Sequence, residues 1–204
     1  MSAPTATLYG SLTSPYARLC RIVREVAGVD ARVAFEEADP FDPAYREKNP
    51  FGKVPSLIFA DGLTCLETTM ICRALMSMGT SLLPDDPKAS FQEEADVAMV
   101  MGLLDLGVAF MIESRRPEDD QSTLWQERRL EGLHSATPLI DATADRAIAQ
   151  PDGYAAAALK CGLDWLDFRL SDHFDWRQSC PQAASFSEQQ QERPVIISTA
   201  PPVG

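Results

Sequence analysis

Three short runs of residues carry chemistry by their type and spacing. Ser14-Pro15 follows a short apolar run and opens a helical pattern, so the N–H groups of a first turn converge on the serine. A helix N-terminus stabilises an anion through its dipole and free donors, and a thiol held there falls one to several units below its ordinary pKa of about 8.5. The Ser14 hydroxyl is placed to donate to such an anion, with Ser11 and Thr13 as neighbouring alternatives. Serine followed by proline is also an ideal N-cap with Pro at N1, so cap and anion donor are both open readings. Lys53-Val54-Pro55 enters an apolar strand, and Lys53 either attracts a carboxylate or is solvated. At Glu67-Thr68 a second helix begins. The Thr68 hydroxyl and the free N–H groups there suit a carboxylate, and Glu67 suits an ammonium; the plainer reading makes Thr68 a cap.

The elements that must position these residues follow from pattern. Residues 6–10 read as a strand. Tyr16, Leu19, Ile22, Val23 and Val26 form one face of a helix ended by Gly28, with Arg18, Arg21, Arg24 and Glu25 on the other. Arg32 to Glu37 reads as a strand, and an Asp- and Pro-rich loop runs on through Asn49-Pro50. Val54 to Phe59 and Leu63 to Leu66 flank the hairpin signal Asp61-Gly62, and a helix runs from Glu67-Thr68 to Met78, closed by Gly79. The order is β-α-β, loop, β-β-α. Residues 80–87 suit a linker. Beyond it the pattern predicts helices near 88–114, 121–149 and 154–170 and shorter ones to about 193, with prolines 117, 138, 151 and 181 marking breaks or kinks and an irregular tail packed back on the surface.

Composition narrows the function classes. Eighteen basic against 30 acidic side chains give a net charge of −12, which argues against a nucleic-acid surface. Residues 1–78 hold 8 basic and 9 acidic groups, so an anionic ligand meets least repulsion there. Cys20, Cys65, Cys72, Cys161 and Cys180 form no CxxC and suit reduced thiols in a cytosol. The start has no signal-peptide pattern. The greasy stretch Val97 to Ile112 falls short of the roughly 20 residues of a bilayer span, so a buried helix is expected. His134 and His173 lack any spaced ligand partner, and no metal is expected. Arg115 and Arg116 read as a solvated charge pair ending a helix.

The runs LYGSLTSPYARLCRI at 8–22, NPFGKVPSLIFADG at 49–62 and LETTMICRAL at 66–75 resemble, in order and spacing, the thioredoxin-like domain of cytosolic glutathione S-transferases. SRRP at 114–117, LDFR at 166–169 and DWR at 175–177 extend the resemblance to the family's all-helical domain, and bacterial members in particular. It implies an α/β plus all-α chain: a thioredoxin-like βαβ-ββα domain at 1–79, a linker at 80–87 and an all-helical domain at 88–204. It also implies glutathione as co-substrate, its thiolate attacking a hydrophobic electrophile. Ser14 would be the catalytic donor to that thiolate. Pro55 would be cis, turning the Val54 N–H and C=O toward the cysteinyl part of glutathione, with Lys53, Glu67 and Thr68 completing the binding set. A cytoplasmic homodimer follows from the same resemblance, supported by the wide apolar surface of Val97, Met101, Leu104, Val108 and Met111 on one helix.

The chain departs from the family pattern in three places. The helix near Gly153 lacks the usual capping box, with Gly153 and Ala156 where Ser or Thr and Asp are expected. No lysine stands in the loop at 39–42 to bind the glycine carboxylate, leaving Arg46 or Lys48. Thr68 stands where serine is usual. A glutathione-dependent thiol-disulfide or peroxide reductase is one alternative, and those that act through a mixed disulfide carry cysteine in place of Ser14; a non-catalytic binding module of the same fold is the other.

Overall fold

The computed structural model describes residues 4–202. They divide into two compact units, one drawn from Met1–Leu82 together with Glu192–Gly204, the other from Leu83–Gln191.

The first unit is built on a four-stranded sheet in the order β2-β1-β3-β4, from β1 (Ala6–Gly10), β2 (Val33–Glu37), β3 (Ser56–Phe59) and β4 (Thr64–Cys65). β1 and β2 are parallel and therefore need a crossover, supplied by α1 (Pro15–Val26); β3 and β4 run antiparallel to their neighbours and share a tight turn. With α3 (Thr68–Met78), this is the thioredoxin-like arrangement. Ala6 and Leu8 alternate inward on β1, and with Leu19, Ile22 and Val23 of α1, Leu57 of β3, and Ile71 and Leu75 of α3 they form this unit's buried core. Two glycines permit close approach. A Cβ on Gly10 would lie 2.7 Å from the Ala17 Cβ, so β1 can end beneath α1 only as glycine. A Cβ on Gly79 would lie 2.1 Å from the Ala27 carbonyl oxygen, where α3 stops against the end of α1.

Two segments expected to be irregular are helical. The loop after β2 contains α2 (Pro43–Arg46), started by the Asp42 carboxylate accepting from the Ala44 N–H at 2.9 Å, with Pro43 at its first position. The tail forms α9 (Pro194–Ser198), whose last carbonyls accept from α1: Arg18 Nη2 reaches the Ile196 oxygen, and the two Arg21 nitrogens reach those of Ser198 and Thr199, each at 3.2 Å. Cationic donors at a helix C-terminus satisfy its orphan carbonyls.

The second unit is helical: α4 (Pro87–Ser114), α5 (Thr123–Ser135), α6 (Thr137–Ala149), α7 (Tyr154–Leu170) and α8 (Pro181–Gln190). The single helix expected over 121–149 is two, parted at Ala136, where Pro138 cannot donate to a continuing ladder. α4 is long and apolar enough to cross a bilayer on length and composition alone. Its buried carboxylates bind neighbouring helices instead. Asp96 takes a two-pronged bond from Arg146 of α6 (2.7 and 2.6 Å), and Glu93 Oε2 accepts the Ala155 N–H of α7 at 2.7 Å. Glu93 thus supplies from another helix the cap that Gly153 lacks, and a Cβ on Gly153 would crowd both its oxygens at 3.0 and 3.2 Å. The runs at 166–169 and 175–177 are joined: Asp167 accepts from the Trp176 indole at 2.9 Å and from both Arg177 nitrogens.

Candidate functional site

Strand order brings the three sequence elements to one edge of the sheet. Tyr9 near the end of β1 pairs with Ser56 at the start of β3, and Leu57 pairs with Cys65 at the end of β4. The chain leaving β1 toward Ser14, the chain entering β3 through Val54-Pro55 and the chain leaving β4 toward Glu67-Thr68 therefore share that edge. α1 and α3 pack side by side below it, the Cys20 thiol within 3.8 Å of both the Thr68 carbonyl oxygen and the Cys72 sulfur.

Ser14 is the N-cap of α1, its oxygen accepting the Ala17 N–H at 3.3 Å. The cap reading is thus realised, yet it uses a lone pair and not the proton. Among the described residues nothing accepts that proton. Ser11 is half-buried beside it, and Thr13 is exposed.

The Val54-Pro55 bond is cis, as expected. Val54 is half-buried and lies outside the β1–β3 ladder, which begins at Ser56. The Lys53 side chain is exposed.

At the third element the plainer reading, which made Thr68 the cap, needs correcting. Glu67, not Thr68, is the N-cap of α3. Its Oε2 accepts the N–H groups of Thr69 and Met70 at 2.9 and 3.3 Å and the Thr69 hydroxyl, leaving Oε1 unused by these bonds. Glutamate reaches over the first turn because its longer side chain folds back from an extended backbone (φ −107°, ψ 137°). Thr68, first residue of the helix, is buried and lies where N–H groups have no intrahelical partner. Just before it, burial pushes the Cys65 thiol up, opposed by bonding to the N–H groups of Glu67 and Leu66.

Of the candidates for the missing lysine, Lys48 lies over the Tyr9 ring, 4.8 Å from its centroid, and the Arg46 guanidinium covers Gly52. Both are exposed. Gly52 has φ +57°, and a Cβ there would lie 2.9 Å from the Arg46 Cζ. Among the described residues no group of three or more His, Cys, Asp and Glu is placed to hold a metal ion. His134 and His173 instead stack edge-on against Phe174 and Phe110.

Sequence reasoning passed over the residues behind Lys53. The Lys53 carbonyl oxygen accepts from the Tyr45 hydroxyl at 2.8 Å and from Asn49 Nδ2 at 2.6 Å, and Tyr45 also bonds the Ser56 hydroxyl at 2.9 Å. The one available signal was a tyrosine and an asparagine four residues apart, in a segment otherwise rich in Asp and Pro.

A family model for the glutathione S-transferase N-terminal domain matches residues 8–78. An uncharacterized GST-like protein of Escherichia coli (strain K12), YibF, is 26% identical over 199 residues, covering 96% of this chain and 98% of that protein. A glutathione transferase family member from Pseudomonas fluorescens Pf-5, solved with bound glutathione, superposes with a TM-score of 0.89 at 28% identity over 97% of this chain and all of its own. A glutathione S-transferase from Methylobacillus flagellatus KT, also solved with glutathione, gives 0.88 at 29% identity over 97% of this chain and all of its own.

Proposed function

We propose that this chain, which belongs to the glutathione S-transferase family, binds glutathione at the sheet edge described above and transfers its thiolate to a hydrophobic electrophile. The observation that carries the reading is Ser14: a hydroxyl at the N-terminus of a helix, capping with its oxygen and holding its proton in reserve. The sulfur of glutathione, seated over α1, accepts that proton as a hydrogen bond, and the helix dipole favours the ionised form. The thiol proton leaves to solvent. The thiolate then forms a carbon–sulfur bond to the acceptor, whose leaving group takes the displaced electron pair, and holding both reactants together lowers the barrier further.

The peptide part of glutathione is read by backbone and charge. Val54 lends its N–H and C=O to the cysteinyl unit, as an added strand would, and Lys53 draws a carboxylate. At α3 the first-turn N–H groups and the Thr68 hydroxyl receive the γ-glutamyl carboxylate, and the remaining oxygen of Glu67 faces its ammonium. Support comes from the convergence of these elements at one edge and from glutathione bound in two relatives at 28 and 29% identity. A cytoplasmic homodimer completes the proposal.

Two measurements test it together. Calorimetry with glutathione should show saturable binding, and an aryl halide assay with glutathione should show turnover. Binding without turnover would leave a glutathione-binding module, and failure of both would defeat the reading.

A further inference from the structure

We propose that Tyr45 and Asn49 are positioning residues that aim the Val54 N–H at the ligand by gripping the Lys53 carbonyl from behind. The inference rests on the glutathione reading above and adds how that donor is held. The peptide between Lys53 and Val54 is planar and trans, so its C=O and N–H point in opposite directions. The carbonyl is fixed by two donors, Tyr45 Oη at 2.8 Å and Asn49 Nδ2 at 2.6 Å. With the carbonyl pinned toward the interior, the Val54 N–H is directed away from it. Neither gripping residue can touch a ligand, because Tyr45 is 4% and Asn49 0% exposed.

The grip is itself fully bonded. Asn49 Oδ1 accepts the Phe51 N–H at 3.0 Å, and the Asn49 backbone bonds the Tyr45 carbonyl oxygen and the Gly52 N–H, each at 2.9 Å. These bonds fix the asparagine so that its amide hydrogen faces Lys53. The tyrosine has one hydroxyl proton, and Lys53 takes it. The Ser56 hydroxyl must then donate to the phenol oxygen, which locks the ring without touching Lys53. Buried donors with defined partners hold a backbone group more narrowly than an exposed loop would.

Tyr45→Phe, Asn49→Asp and Ser56→Ala separate aiming from mere stability. Asn49→Asp keeps an acceptor for the Phe51 N–H but loses the donor to Lys53. Tyr45→Phe and Asn49→Asp should each raise the glutathione Kd by about five- to tenfold, as expected for one hydrogen bond of ordinary strength. The midpoint of the pH–rate profile should stay where it is, since Ser14 and α1 are untouched. Ser56→Ala should lower the melting temperature and leave Kd within about twofold. Should Asn49→Asp fail to fold, the contrast of Tyr45→Phe with Ser56→Ala decides. Folded Tyr45→Phe protein binding glutathione as the parent does would overturn the proposal, as would equal weakening by Tyr45→Phe and Ser56→Ala. A parent protein that binds no glutathione would instead overturn the functional reading on which the proposal stands.

Discussion

The Ser14 oxygen holds the Ala17 N–H while its proton remains available, so one side chain can serve helix and ligand together. If it supports a thiolate, Ser14→Ala removes a charge-assisted hydrogen bond of about 1.5–3 kcal/mol and should slow conjugation roughly ten- to a hundredfold at neutral pH. The pH–rate midpoint should rise with it. The same change removes a cap worth about 1 kcal/mol, so melting must be followed beside rate. A lower melting temperature with unchanged rate and pH profile would make Ser14 a cap alone and move the donor to Ser11, Thr13 or a backbone N–H. Ser14→Cys is the complementary probe. Its thiolate should attack glutathione disulfide, form a mixed disulfide detectable by mass and release one glutathione thiolate. Ser14, Val54-Pro55 and Glu67-Thr68 were legible because each sits where one periodicity gives way to another. That Glu67 and not Thr68 caps α3 was not, since either side chain suits the first turn and only backbone geometry selects between them. Tyr45 and Asn49 gave only their spacing as a signal because their partner is a main-chain oxygen, which any residue type at position 53 would supply.

At the scale of elements, the missing capping box of α7 is answered by Glu93 from α4. Glu93→Ala should therefore lower stability by about 0.5–2 kcal/mol in urea unfolding, and Glu93→Gln, which keeps an acceptor, by less. Burial pushes the Glu93 carboxyl above the usual carboxylate range, the Ala155 N–H opposes this, and the nearby Asp96 adds to the rise. The folded chain thus binds that proton more tightly than the unfolded chain does. Glu93's contribution to stability should rise as pH falls from above the folded pKa toward the ordinary carboxylate value, and should level off below it. Subtracting the Glu93→Gln stability curve from that of the parent isolates this trend, and a difference with the opposite slope would refute it. The sequence showed the defect at Gly153 but not its remedy, because a cap contributed from 60 residues away leaves no local pattern. The break at Ala136 was likewise masked, since Pro138 two residues on is compatible with both a kink and a fresh start.

For the molecule as a whole, the expectation of a homodimer loses part of its first argument. Val97 and Leu104 are buried within the second unit, and Met101, Val108 and Met111 are partly buried. Other apolar side chains remain in solvent, notably Phe51 at 71% exposure in the first unit and Phe91 at 73% on α4. The proposed dimer would cover such side chains. Light scattering at micromolar concentration should report about twice 22.4 kDa, and Phe51→Ser with Phe91→Ser should shift it toward one chain. A parent protein scattering as a single chain would end that proposal.

The return of α9 to α1 has a consequence for how the chain is made. On the ribosome, the sheet, α1 and α3 emerge first, yet the carbonyls that receive Arg18 and Arg21 are not synthesised until the whole of Leu83–Gln191 has followed. Through that interval the first unit is one helix short, and these two arginines lack the carbonyls that α9 brings them.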